Sequence, residues 1–159
     1  MNRMFGKFAS QVFTFRGRSS RANFWLTLLL GALAYTGTLF AILAVFAGSN
    51  PPFDLNLAGL FLALLNWAAF IVIYVFAAIR RLHDRNKSGH WMWLFAFAPA
   101  ILNIVGAALD QLGNAPILVL ISVAAAAGLL LWGIIELGFL RGAAGPNRFG
   151  PDPLAAYPT

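Results

Sequence analysis

The chain has 159 residues, 60% of them hydrophobic and only 10% charged, with a mean hydropathy of +0.78. A soluble domain of this size carries about 25% charged residues, so the composition argues against a water-soluble globule and for one integral membrane domain spanning 1–159. The absence of cysteine removes disulfides, thiolate metal sites and cysteine nucleophiles, and the net charge of +6 in so apolar a chain points to lipid headgroups rather than nucleic acid.

Residues 1–22 precede the first apolar stretch. Phe5, Phe8, Val12 and Phe15 recur at helical spacing, with Arg3, Lys7, Gln11 and Arg16 largely elsewhere on the wheel. The pattern predicts a short interfacial helix, with its apolar face in the acyl boundary and its cations among phosphates. Arg16, Arg18 and Arg21 then crowd the start of the first span, against the helix dipole. They need an anionic partner, either lipid phosphate or acidic side chains of this chain. Ser19 or Ser20 is placed to cap that span, and Trp25 sits where interfacial aromatics belong.

Four apolar stretches are long enough to cross a bilayer as helices, at about 23–47, 55–79, 91–109 and 117–140. None alternates with period two, which argues against a transmembrane barrel. A signal peptide has an apolar core of only about 7–15 residues; the first stretch is much longer and is expected to stay. Short connections rich in Gly, Pro, Asn and Asp make consecutive helices antiparallel, so the expected fold is an all-α, four-transmembrane-helix antiparallel bundle. Every one of the 11 Lys and Arg residues falls in the N-terminal segment, the Arg80–His90 link or the 141–159 tail, while the other two turns hold Asp54 and Asp110. By the positive-inside rule both termini and the middle link are cytoplasmic.

Small residues form candidate packing seams, within the chain or between copies in a homo-oligomer: Gly31, Ala34, Thr38 and Ala41 on the first helix, and Ala124 with Gly128 on the fourth. Asn66 and Asn103 lie about 20 and 18 Å deep on neighbouring helices and are expected either to meet through their amides, directly or through a water, or each to bond to a backbone carbonyl. Glu136, about 6 Å from the end of the fourth span, is the only acid inside a span. The cations nearest in depth are Arg80, Arg81 and Arg21, so it is expected to pair with one of them, with Tyr74 as a further donor. In the middle link, Asp84 is the only acid and the natural partner of a neighbouring Arg.

The link reads Arg80-Arg81-Leu82-His83-Asp84-Arg85-Asn86-Lys87-Ser88-Gly89-His90-Trp91, and the tail includes Gly145-Pro146-Asn147-Arg148-Phe149-Gly150-Pro151-Asp152-Pro153. With Phe15 through Trp25, these segments resemble the bacterial membrane proteins grouped as domain of unknown function 805. That family carries a Phe-x-Gly-Arg-x-x-Arg-x-x-Phe-Trp segment, an Arg-Arg-Leu-His-Asp link followed by Ser-Gly-Trp, and a Gly-x-Asn-Arg-aromatic-Gly-x-Asp-Pro tail. The resemblance covers about residues 10–153. It departs at Asn86, where glycine is common, and at His90 between Gly89 and Trp91. It implies a multi-span protein of the bacterial inner membrane with no established activity.

His83, Asp84 and His90 are expected to form a hydrogen-bonded loop rather than a metal site, and no cofactor motif is present. The leading functional expectation is a non-enzymatic module. Its Arg16, Arg18, Arg21, Arg80, Arg81, Arg85 and Arg148 would bind anionic lipid headgroups or an acidic membrane-protein partner. A small oligomeric transporter or channel, motivated by Asn66, Tyr74, Asn103 and Glu136, is the alternative. An intramembrane enzyme lacks a visible nucleophile, base and orienting group.

Overall fold

The computed structural model describes residues 14–46, 53–111, 113 and 116–155. The expected interfacial helix rests mainly on Phe5, Phe8 and Val12, which lie outside those residues; 14–20 form bends and irregular chain. The described elements are helical, with one isolated bridge between Asn147 and Gly150. Helix α1 runs Arg21–Phe46, α2 Phe53–Asp84, α3 Ala98–Gln111 and α4 Pro116–Ile134. A π-helical turn, Trp93–Phe97, leads into α3, and a second, Ile135–Phe139, ends α4.

Among the described residues, four helical segments are long and apolar enough to span a membrane: Arg21–Phe46, Leu57–Asp84, Trp93–Gln111 and Pro116–Phe139. Their outward residues explain why. Leu33, Phe40, Phe61, Ile104 and Leu120 are all exposed, an apolar surface that water would penalise and hydrocarbon accepts. This is a multi-pass membrane protein.

The chain forms two compact units. One comprises the described residues up to Phe15 together with Ala22–Ala77. Within it, Gly31 of α1 faces Phe70 and Ile73 of α2, Tyr35 packs on Phe70, and Thr38 reaches Asn66. Partner numbers fall on α2 as they rise on α1, so these helices are antiparallel, with the first predicted seam against α2 at Gly31 and Thr38. Asn66 takes the second of its expected arrangements, bonded to a backbone carbonyl within its own unit. Its Oδ1 accepts from Thr38 Oγ1 at 2.7 Å and its Nδ2 donates to the Tyr35 carbonyl at 3.1 Å. A small residue at position 38 lets the amide reach the α1 backbone directly, satisfying it within one helix pair.

The second unit contains Arg16–Arg21 and the chain from Ala78 onward. Here Gly106 meets Ser122 and Gly133 meets Phe95, which makes α3 and α4 antiparallel too. The buried face of α4 is Ser122, Ala126 and Gly133. The seam at Ala124 and Gly128 is exposed within this chain, and a Cβ at Gly128 would meet nothing within 4 Å. Two small-residue rows lie side by side on α4, and spacing alone does not select between them. The first π-helical turn has a local cause. Pro99 has no N–H for the Phe95 carbonyl, and the wider turn, closed by Ala98 N–H to the Trp93 carbonyl, absorbs the mismatch.

Helix α2 continues past the expected end near Ile79 to Asp84. Arg81 in its last turn complements the C-terminal dipole. Its stop is a Schellman closure: Lys87 N–H donates to the Leu82 carbonyl at 2.9 Å and Asn86 N–H to the His83 carbonyl at 3.0 Å. Asn86 takes φ 56°, the left-handed conformation such a closure requires. Asparagine is among the few non-glycine residues that tolerate it, which accounts for Asn86 standing where the resembled family commonly has glycine.

Candidate functional site

The three polar segments recognised in the sequence converge within the second unit, around the end of α2. Asp84 is their hub. Its Oδ1 accepts from Arg18 Nε at 3.0 Å, its Oδ2 accepts from Arg81 Nη1, and its main-chain carbonyl accepts from Ala143 N–H at 2.8 Å. The Arg18 and Arg81 side chains are 1% and 0% exposed. Burying such groups is costly unless every donor finds an acceptor, and the backbone supplies the acceptors. Arg18 donates to the carbonyls of Ala143, Gly145 and Gly150. Arg81 donates to those of Leu137, Leu140 and Ser19.

Helix ends leave carbonyls without intrahelical partners, and here arginines close the end of α4. Besides Arg81, Arg21 donates to the Phe139 carbonyl at 3.1 Å and Arg85 to the Arg141 carbonyl at 2.7 Å. Gly142 lets the chain pass, since a Cβ there would overlap the Asp84 carboxylate.

A second cluster centres on Glu136, in the π-helical turn and 2% exposed. Its Oε1 accepts from Arg85 Nε at 2.9 Å and Lys87 Nζ at 2.8 Å, while Lys87 also lies 4.1 Å from the Trp91 ring centre. The expected pairing with Arg80, Arg81 or Arg21 is therefore corrected. Arg81 and Arg21 serve the main chain at the same helix end, and the Schellman turn brings Arg85 and Lys87 onto the carboxylate. Tyr74 belongs to the other unit.

The tail is clamped over this face. His83 stacks on Phe149 with ring centres 3.8 Å apart and planes at 5°, and its Nδ1 lies 3.2 Å from the Gly17 carbonyl. Asn147 donates to the His83 carbonyl at 2.9 Å and accepts from Phe149 N–H. Arg148 donates to the Asn86 carbonyl at 3.1 Å and lies over the Phe149 ring. Asp152 accepts from the amides of Leu154 and Gly145, and those bonds hold its carboxyl below the usual carboxylate range.

These are the three segments by which the chain resembled a known family, now joined as one structure. The family model described as "Protein of unknown function (DUF805)" matches residues 12–151, nearly the whole chain. The chain belongs to the DUF805 family. Among its relatives, "Uncharacterized protein YiiR" of Escherichia coli K12 is 30% identical over 147 residues, covering 89% of this chain and 86% of YiiR. "Inner membrane protein YhaI" of the same organism is 32% identical over 87 residues, covering 55% of this chain and 64% of YhaI. No solved structure matches the chain.

The structure thus gives the DUF805 motif residues distinct positions. Of the arginines singled out in the sequence, Arg18 and Arg81 point into the protein and Arg85 is half-buried on Glu136. Arg80 is half-buried, and its carbonyl accepts from Ser19 N–H at 3.1 Å. Arg16, Arg21 and Arg148 are exposed, as is Arg141, which sequence reasoning did not single out. Lys87, Gly142, Asn147 and Asp152 were also passed over. Asn147 and Asp152 lay inside a quoted motif, and that position was the available signal. Among the described residues no three His, Asp or Glu side chains gather as a metal site.

Proposed function

We propose that this DUF805 protein is a non-enzymatic module of the inner membrane whose cytoplasmic face binds anionic lipid headgroups. The observation that carries this reading is the charge balance of that face. Asp84 and Glu136 are each shared by two cations, so four cations meet two carboxylates. Arg21 and Arg141 add further positive charge at the exposed surface, next to helix ends where headgroups lie. YhaI, named as an inner membrane protein, supports the location, and the one-sided distribution of Lys and Arg supports cytoplasmic termini.

The channel alternative loses two of its motivating residues, because Asn66 is bonded to α1 and Glu136 is closed into an ion cluster at a helix end. The test is native mass spectrometry of the purified protein titrated with phosphatidylglycerol against phosphatidylcholine. Preferential retention of the anionic lipid is expected; equal retention overturns the lipid reading, and preferential capture of an acidic membrane protein would replace it with a protein partner. Solute uptake by reconstituted vesicles would favour the channel. Orientation is tested separately, since the chain has no cysteine. A single Cys at Ala155 should react with an impermeant maleimide only after cells are opened, and one at Asp110 in intact spheroplasts.

A further inference from the structure

A small polar cavity opens between the end of α4, the start of α1 and the tail. Its volume is about 90 Å³, and its lining includes Ser20, Arg21, Arg81, Asp84, Arg141 and Asp152. In this measure a water molecule needs roughly 10–15 Å³, so the space admits a tetrahedral oxyanion. We propose that this cavity binds a single phosphate group, that of a phosphomonoester lipid headgroup in the surrounding bilayer. The inference deepens the anionic-lipid reading and rests on it.

Charge is the first argument. The two carboxylates on the wall are already engaged: Asp84 faces Arg18 and Arg81, and Asp152 accepts from the amides of Gly145 and Leu154. The guanidinium groups of Arg21 and Arg141 are not paired with either carboxylate in a salt bridge. Arg21 is anchored by one N–H to the Phe139 carbonyl, and a guanidinium has five donors in a planar fork suited to phosphate. Position is the second argument. Arg21 is the first residue of α1 and Arg141 lies two residues past the turn that ends at Phe139. Both flank the ends of membrane-spanning segments, the level at which headgroup phosphates sit. A monoester, with its greater charge and three terminal oxygens, satisfies two guanidinium forks in one cavity lining better than a diester.

The test uses the full-length protein in phosphatidylcholine nanodiscs doped with phosphatidic acid or phosphatidylglycerol, and separately with inorganic phosphate added. Binding is read from the shift of the thermal midpoint and from ³¹P resonance perturbation. Phosphatidic acid should stabilise most. Arg141→Gln should weaken that response about tenfold, the scale of a charged hydrogen bond, and Arg141→Lys should restore part of it. Arg148→Gln, which removes the same charge outside the cavity, should change it less than about twofold. Equal weakening by Arg148→Gln would overturn the cavity while leaving the anionic-lipid reading intact. Indifference to both anionic lipids would overturn both. A response to inorganic phosphate but not to phosphatidic acid would overturn the lipid source.

Discussion

Arg18 and Asp84 stand 66 positions apart and meet at 3.0 Å, with both side chains shielded from solvent. That bond links the approach to the first helix with the end of the second, and Arg81 shares the same carboxylate. Asp84→Asn would leave two buried guanidinium groups without a counter-charge. The expected loss is about 3–5 kcal/mol, the range for breaking a buried ion pair by removing one partner. Thermal unfolding in detergent measures it. Combining Asp84→Asn with Arg18→Gln should cost less than the sum of the two single changes.

Glu136 makes the second test. Its side chain is 3% exposed, whereas Arg85 and Lys87 keep about a quarter of their side-chain surface open. Glu136→Gln should lower stability by about 1–3 kcal/mol, as for a lost charged hydrogen bond. A double-mutant cycle should find coupling with Arg85→Gln and with Lys87→Met, and additivity with Arg80→Gln. Coupling to Arg80 alone would contradict the geometry.

Asn86 should behave as a conformational residue. Because it holds φ 56°, Asn86→Gly should be neutral or slightly stabilising. Asn86→Val should cost at least about 1–2 kcal/mol, since a β-branched side chain crowds the left-handed region. The two thermal midpoints, compared with the wild type, check the sign of each change.

Docking of the tail should weaken in acid through Asp152. Its folded pKa is depressed, chiefly by the amides of Leu154 and Gly145. The contribution is therefore present above the unfolded value of about 3.9 and lost as pH falls through the lower folded value. Hydrogen exchange at the Gly145 and Leu154 amides, with Asp152→Asn as the pH-insensitive reference, reads this directly.

The four spans were legible because uninterrupted apolar length is decisive in a bilayer. The converging motifs were legible as segments but not as contacts. Depth along the helix axis suggested Arg80, Arg81 and Arg21 for Glu136, whereas the Schellman turn at Asn86 redirects the chain and delivers Arg85 and Lys87. Depth also matched Asn66 with Asn103. It omitted rotation about the helix and the local reach that a small side chain such as Thr38 opens. Arg18 and Arg81 read as surface cations because a sequence shows charged acceptors and hides carbonyls. Their partners at Ala143, Gly145, Leu137 and Leu140 are backbone groups that any residue type supplies.

The carbonyls that hold Arg18 come from Ala143, Gly145 and Gly150, among the last described residues to be synthesised. Until those residues are made, Arg18 lacks these three acceptors. Closure of this face waits for the tail to leave the ribosome. A chain arrested before residue 143 would lack the acceptors that let the finished protein bury Arg18.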